Sequence, residues 1–168
     1  MSANNEYEKL LRILEEEIKG YETLVMILSK KQEAIIKGDV ESLRQLVVDE
    51  QTLAKRIENI VKERNSLGLL LSNRRNRKAG VRLTELIEIA PENYKDLLQR
   101  VRYKLMSNLE QISRLNRENE YLLSFSIDFV RNMTQLIVGA DVENVKIYNA
   151  KGHTFSPGEN NKMLDYQI

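Results

Sequence analysis

Apolar residues return every three or four positions along three long stretches of this chain, and the stretches are unequal. Over about 4–37 they fall at Leu11, Leu14, Ile18, Tyr21, Val25, Leu28 and Ile35, with Gln32 the one polar member. That alternation predicts an amphipathic helix with a coiled-coil seam. A second stretch, 39–71, repeats Leu43, Val47, Ala54, Ile57 and Val61 beside a stripe of Leu46, Leu53, Ile60 and Leu67. Two adjacent stripes imply two neighbours. The third stretch, 91–138, runs through Tyr94, Leu98, Val101, Leu105, Asn108, Ile112, Leu115, Asn119, Leu122, Ser126, Phe129, Met133 and Leu136. At about 1.5 Å per residue it spans roughly 70 Å against roughly 50 Å for each of the others, leaving about 20 Å without a partner. In an up-down-up arrangement the surplus falls near Phe125 to Val138, which holds two of the three Phe residues in the chain.

The breaks between these stretches carry turn chemistry. Gly38 suits a left-handed C-terminal cap, Asp39 can cap the next helix, and Glu41 sits in its favourable first turn. Ser72 to Gly80, with Arg74, Arg75, Arg77 and Lys78, has neither apolar period nor cap and reads as a loop. A short helix, 82–89, ends before Pro91, which is placed to open the third long helix. After Gly139 the helical period is lost. Val145 to Tyr148 alternates as a strand would, and Ser156-Pro157-Gly158 reads as a turn. The expected fold is all-α: three long helices in an antiparallel coiled-coil bundle over 1–138, the third helix extended, followed by an irregular C-terminal tail over 139–168.

Composition narrows the function more than it supports the fold. The 168 residues are 42% apolar and 30% charged, with no Cys and one His. Disulfides, thiolate zinc sites and cysteine nucleophiles are thereby excluded. A di-iron bundle needs a Glu-x-x-His motif on two helices, and the one His, His153, lies in the tail. Glu15, Glu16 and Glu17 are consecutive, so on a helix they point about 100° apart and cannot converge on one ion. They read as a solvated acidic face. Glu8–Arg12, Glu15–Lys19, Glu33–Lys37, Glu58–Lys62, Asp96–Arg100 and Glu110–Arg114 have the spacing of helix-supporting ion pairs. No phosphate-binding loop, nucleophile elbow or acid–base pair is present. Neither enzyme activity nor a cofactor is expected.

With 26 basic and 25 acidic residues there is no bulk field to draw in nucleic acid or anionic lipid. Neither a signal peptide nor a membrane span is legible, so a cytoplasmic protein without stable membrane insertion is expected. The basic loop reads either as a solvated loop or as a contact for an acidic protein or membrane surface, and lacks the aromatics of a nucleic-acid site. Asn108 and Asn119 in the third seam, flanked by Asn116, either set helix register or mark where the core ends. The surplus apolar end leaves three occupants open: the tail folded back, a second copy in a homodimer, or a client helix in a groove.

Several segments together resemble the FlgN-type flagellar export chaperones. They are Leu10-Leu11 with Tyr21 and Leu24; Glu33-Ala-Ile-Ile-Lys-Gly-Asp39; Leu43, Leu46, Glu50 and Arg64; Leu83-Thr-Glu-Leu-Ile-Glu88; Asn116-Arg-Glu-Asn119 with Leu122 and Leu123; and Tyr148 with Gly152. The match covers about Tyr7 to Phe155. The resemblance implies a cytoplasmic chaperone that binds terminal helical segments of hook-filament junction proteins, prevents their premature assembly and delivers them to the type III export apparatus. It implies that the client is held by the C-terminal part. The expected contact surface is Leu122, Phe125, Phe129, Met133, Leu136 and Ile137, with Tyr148 and Phe155 as anchors in the tail. Export-gate components are further candidate partners. A self-associating coiled-coil scaffold, or an adaptor without an export role, is the alternative.

Overall fold

The computed structural model of the chain describes residues 3–72 and 81–138. Among these residues 94% are helical and none is in a strand. Four helices follow in order: α1 (Ala3–Lys37), α2 (Val40–Leu71), α3 (Leu83–Glu88) and α4 (Glu92–Val138). The chain divides into two compact units, the described residues of the first ending at Leu122 and those of the second beginning at Leu123. The expected loop over Ser72 to Gly80 lies, after Ser72, outside the described residues, as does the tail from Gly139 onward.

The reversal between α1 and α2 is built by two residues. Gly38 takes a φ of 67°, which a side chain at Cβ would oppose. With the backbone so turned, Gly38 N–H donates to the Ile35 carbonyl and Asp39 N–H to the Ala34 carbonyl, the paired bonds of a Schellman cap. Asp39 then serves the next helix. Its carboxylate accepts the backbone N–H of Ser42 at 3.0 Å and the Ser42 hydroxyl at 2.6 Å, satisfying a free donor of the first turn. These bonds hold the Asp39 carboxyl below the ordinary range. At the start of α4 the helix opens at Glu92 rather than at Pro91 itself, and Pro91 accepts the N–H of Tyr94 through its carbonyl. A proline lacks the donor that a helix interior requires, so this place just outside suits it.

Within the first unit α1 contacts both of the other long helices. Against α2 it runs antiparallel, through Lys9–Glu63, Glu17–Arg64 and Lys31–Glu50. Gly20 permits a close approach, since a Cβ there would lie 2.9 Å from Ile57. Against α4 it runs parallel. The Tyr7 ring stacks on Tyr94 with centroids 5.5 Å apart, and Asn119 donates to the Leu28 carbonyl at 2.9 Å, while the Tyr7 hydroxyl donates to the carbonyl of Ile89, which caps α3 just before α4 begins. The core is Leu10, Leu14, Tyr21, Leu28, Leu98, Leu105 and Ile112, each almost wholly buried. Leu83 and Leu86 of α3 are buried too, with Leu86 lying against Gly68 of α2.

Three details differ from the apolar pattern. The seam of α1 is Tyr7, Leu10, Leu14, Glu17, Tyr21, Leu24, Leu28 and Ile35, whereas Leu11, Val25 and Gln32 are only half-buried. Residues 10, 17 and 24 lie one position before 11, 18 and 25, so the buried stripe is turned by about 100° at that rank, and Ile18 is buried on its edge. Glu17 is therefore not part of a solvated acidic face, although Glu15 and Glu16 are exposed. Lastly, α2 buries residues only from Ile57 onward, so Leu43, Leu46, Val47, Leu53 and Ala54 are half-covered. An apolar period shows which face points inward, and the neighbour's distance decides how far it is covered.

Candidate functional site

The described part of the second unit is one helical segment, the end of α4 from Leu123 to Val138. Phe125, Phe129, Val130, Met133, Leu136 and Ile137 recur at steps of one, three and four, so their side chains share one face. That face is open. Phe125 is 62% exposed, Phe129 57% and Leu136 80%, with Val130, Met133 and Ile137 exposed as well. The opposite face carries Asp128 and Arg131, which pair at 3.1 Å, and the Thr134 hydroxyl turns back to the Val130 carbonyl. Scattered exposed apolar residues are ordinary on a protein surface, but a contiguous stripe of this kind marks an interaction surface. The face sets a flexible Met beside two aromatic rings, with charge kept to the far side.

Of the eight residues expected to form the contact surface, five lie on this open face: Phe125, Phe129, Met133, Leu136 and Ile137. Leu122 is half-buried and closes the first unit. Tyr148 and Phe155 lie outside the described residues, as do the basic residues Arg74 to Lys78 and His153. Asn119, three positions before the first unit ends, is buried and tied to α1 through Leu28, while Asn108 and Asn116 are half-buried. Its Oδ1 has no hydrogen-bond partner.

A second polar constellation lies inside the first unit, and the apolar pattern missed it. Glu17, 0% exposed, accepts at Oε1 from Arg64 Nη1 and from the Tyr21 hydroxyl, both at 3.0 Å. Arg64 is itself buried. The other carboxylate oxygen, Oε2, has no partner. Burial therefore outweighs the guanidinium and the hydroxyl, and the Glu17 carboxyl titrates above the ordinary value of 4.5. A signal for this pair existed: Glu17 falls in step with Leu10, Leu14, Tyr21 and Leu24, and Arg64 in step with Ile57 and Val61. Opposite charges in the seams of two antiparallel helices predict a buried ion pair.

The raised value has a testable sign. A folded state that holds its proton more tightly than the unfolded chain gains stability as pH falls through the interval between the folded value and 4.5. The stability difference between the wild type and Glu17→Gln should thus move in favour of the wild type as pH falls from neutral toward that value, and flatten below it. Urea unfolding across that range measures it, and a difference that moves the other way would show that Arg64 outweighs burial.

The ion pairs on outer faces are of the supporting kind. Glu33–Lys37 and Glu58–Lys62 form as their spacing implies, and both are well exposed. Such pairs contribute about 0.2–0.5 kcal/mol each. Among the described residues no group of three or more His, Asp or Glu is placed to hold a metal ion, and no helix is long and apolar enough to cross a membrane.

A model of the FlgN protein family matches residues 1–155, nearly the whole chain. No curated protein and no solved structure matches it. On the family match the chain belongs to the FlgN family, a family of flagellar export chaperones.

Proposed function

We propose that this protein is a cytoplasmic export chaperone that binds the terminal amphipathic helices of flagellar hook-filament junction proteins. The chaperone prevents premature assembly of these clients and delivers them to the type III export apparatus. The observation that carries this reading is the open apolar face of α4 between Phe125 and Ile137. Family membership supports the class of function, and the face supplies the chemistry that an amphipathic helix needs. Burying side chains of this size is worth about 1.5–3 kcal/mol each, so the six together offer on the order of 10 kcal/mol. Part of that is lost to ordering the two partners, and the remainder suits a complex that must later release its cargo.

In this reading the first unit is an antiparallel coiled-coil bundle, and the binding surface is Leu122, Phe125, Phe129, Met133, Leu136 and Ile137. Tyr148 and Phe155 anchor the client from the tail. The client covers Phe125 and Phe129 with the apolar stripe of its own terminal helix. Co-expression of the tagged chain with a hook-filament junction protein tests the reading. Co-purification is expected with the intact junction protein and lost when its terminal helices are removed. Retention after that removal would show that the terminal helices are not the ligand. A self-associating scaffold would use the same face for a second copy, and light scattering across a dilution series separates it by a dimer that ignores added client.

A further inference from the structure

Polar side chains interrupt the apolar seam between α1 and α4, and they meet at one level. Asn119, 3% exposed, donates through Nδ2 to the Leu28 carbonyl at 2.9 Å, and Gln32, one turn beyond Leu28, donates to Glu118 at 2.9 Å. Asn119 Oδ1 has no partner, so the amide costs stability where it sits. An amide kept in a seam at such a cost is a device for fixing register. Apolar contacts alone do not choose the register. On α1, Tyr7, Leu14, Tyr21, Leu28 and Ile35 recur at steps of seven, all buried, while the repeat of α4 runs on past Leu122 to Leu136. Sliding α4 by seven residues toward the start of α1 puts Leu105 in the place of Leu98, Leu122 in that of Leu115 and Phe129 in that of Leu122. At these places apolar still replaces apolar, and the end of α4 is drawn about 10 Å along α1. The polar level is what suffers. Asn119 enters the place of Ile112, level with Tyr21, and Phe125 stands against Gln32 where Glu118 was. An amide set among apolar side chains and a Gln without its acceptor both oppose the slide. The Tyr7–Tyr94 stack opposes it at the other end, because Val101 takes the place of Tyr94.

We propose that Asn119, with Gln32 and Glu118, is a register clamp that keeps α1 from consuming the apolar end of α4 and so leaves Phe125 to Ile137 for a client. Asn119 is a positioning residue, acting through the level at which α4 lies on α1. The purpose of the clamp rests on the client-binding reading, whereas the register it sets does not.

Distances between spin labels in the full chain, without client, test the clamp. The chain has no Cys, so Lys30→Cys on α1 and Lys104→Cys on α4, both exposed, give one label pair. The slide carries residue 104 about 10 Å further along from residue 30. With the clamp intact one distance is expected. In Gln32→Leu with Asn119→Leu a second, longer distance should appear in at least about a tenth of the molecules, as the two registers approach each other in stability. The unfolding midpoint of that variant should equal or exceed the wild type, because apolar side chains replace an amide that lacks a partner. A single unchanged distance overturns the proposal, and a lowered midpoint with one distance assigns these residues to stability alone and overturns it too. Should the double variant fail to fold, Asn119→Leu by itself is read by the same two measurements. A client that binds while the register proves insensitive to these substitutions leaves the client-binding reading standing, and a second register in a chain that binds no client leaves the clamp standing.

Discussion

Replacing Arg64 by methionine should lower the free energy of unfolding by about 3 to 5 kcal/mol, because it leaves the Glu17 carboxylate buried beside a single neutral donor. Arg64 Nη1 is the one cationic donor bonded to that group, and Oε2 already lacks a partner. Methionine fills much of the space, so the loss reports the stranded charge and not a cavity. Against total stabilities of about 5 to 15 kcal/mol for a domain, an effect of this size would unfold a substantial fraction of the protein near its working temperature. Removing both partners is a different experiment. Glu17→Leu with Arg64→Leu should lie within about 1–2 kcal/mol of the wild type or exceed it, since a buried pair roughly balances its own desolvation. Urea unfolding followed by circular dichroism measures both, and a loss below about 1 kcal/mol for Arg64→Met would mean that the pair is better solvated than its burial indicates.

The second large effect concerns binding. Phe129→Asp combined with Met133→Asp should weaken the complex with a junction-protein terminal helix by more than about a hundredfold. Each substitution removes apolar burial worth about 1.5–3 kcal/mol and places a carboxylate where the client's own apolar stripe must desolvate it. Both side chains are exposed in the chain on its own, so helicity and the unfolding midpoint should stay close to the wild type. This separation distinguishes a binding surface from a structural one. Isothermal titration with the isolated terminal segment reads the affinity, and unchanged affinity would remove this face from the mechanism.

Much of the fold is legible from local chemistry. Gly38 and Asp39 mark the reversal of α1 into α2 because a positive φ and a side-chain cap are requirements of single residues. Pro91 marks the start of α4 because it cannot donate within a helix. The open end of α4 is legible from length, since its apolar repeat outruns those of α1 and α2. The interior seam is harder to read. Counting apolar residues alone favours Leu11, Ile18 and Val25 over Leu10, Glu17 and Leu24, because a carboxylate scores against its own position. Only the charge on the facing helix explains why Glu17 is inside. Lys31 and Glu50 repeat this on a smaller scale as a half-buried pair across the same two helices. How far the first half of α2 is covered depends on distances between helices, which no period encodes.

The central claim, that the end of α4 is the client site, is tested most directly by titrating an unlabelled junction-protein terminal helix into the isotope-labelled full chain and following backbone amide shifts. Changes are expected to concentrate between Leu122 and Val138, with the amides of Leu10 to Ile112 nearly still. Changes centred on the α1–α2 interface around Glu17 and Arg64, with Phe125 to Ile137 unmoved, would contradict it.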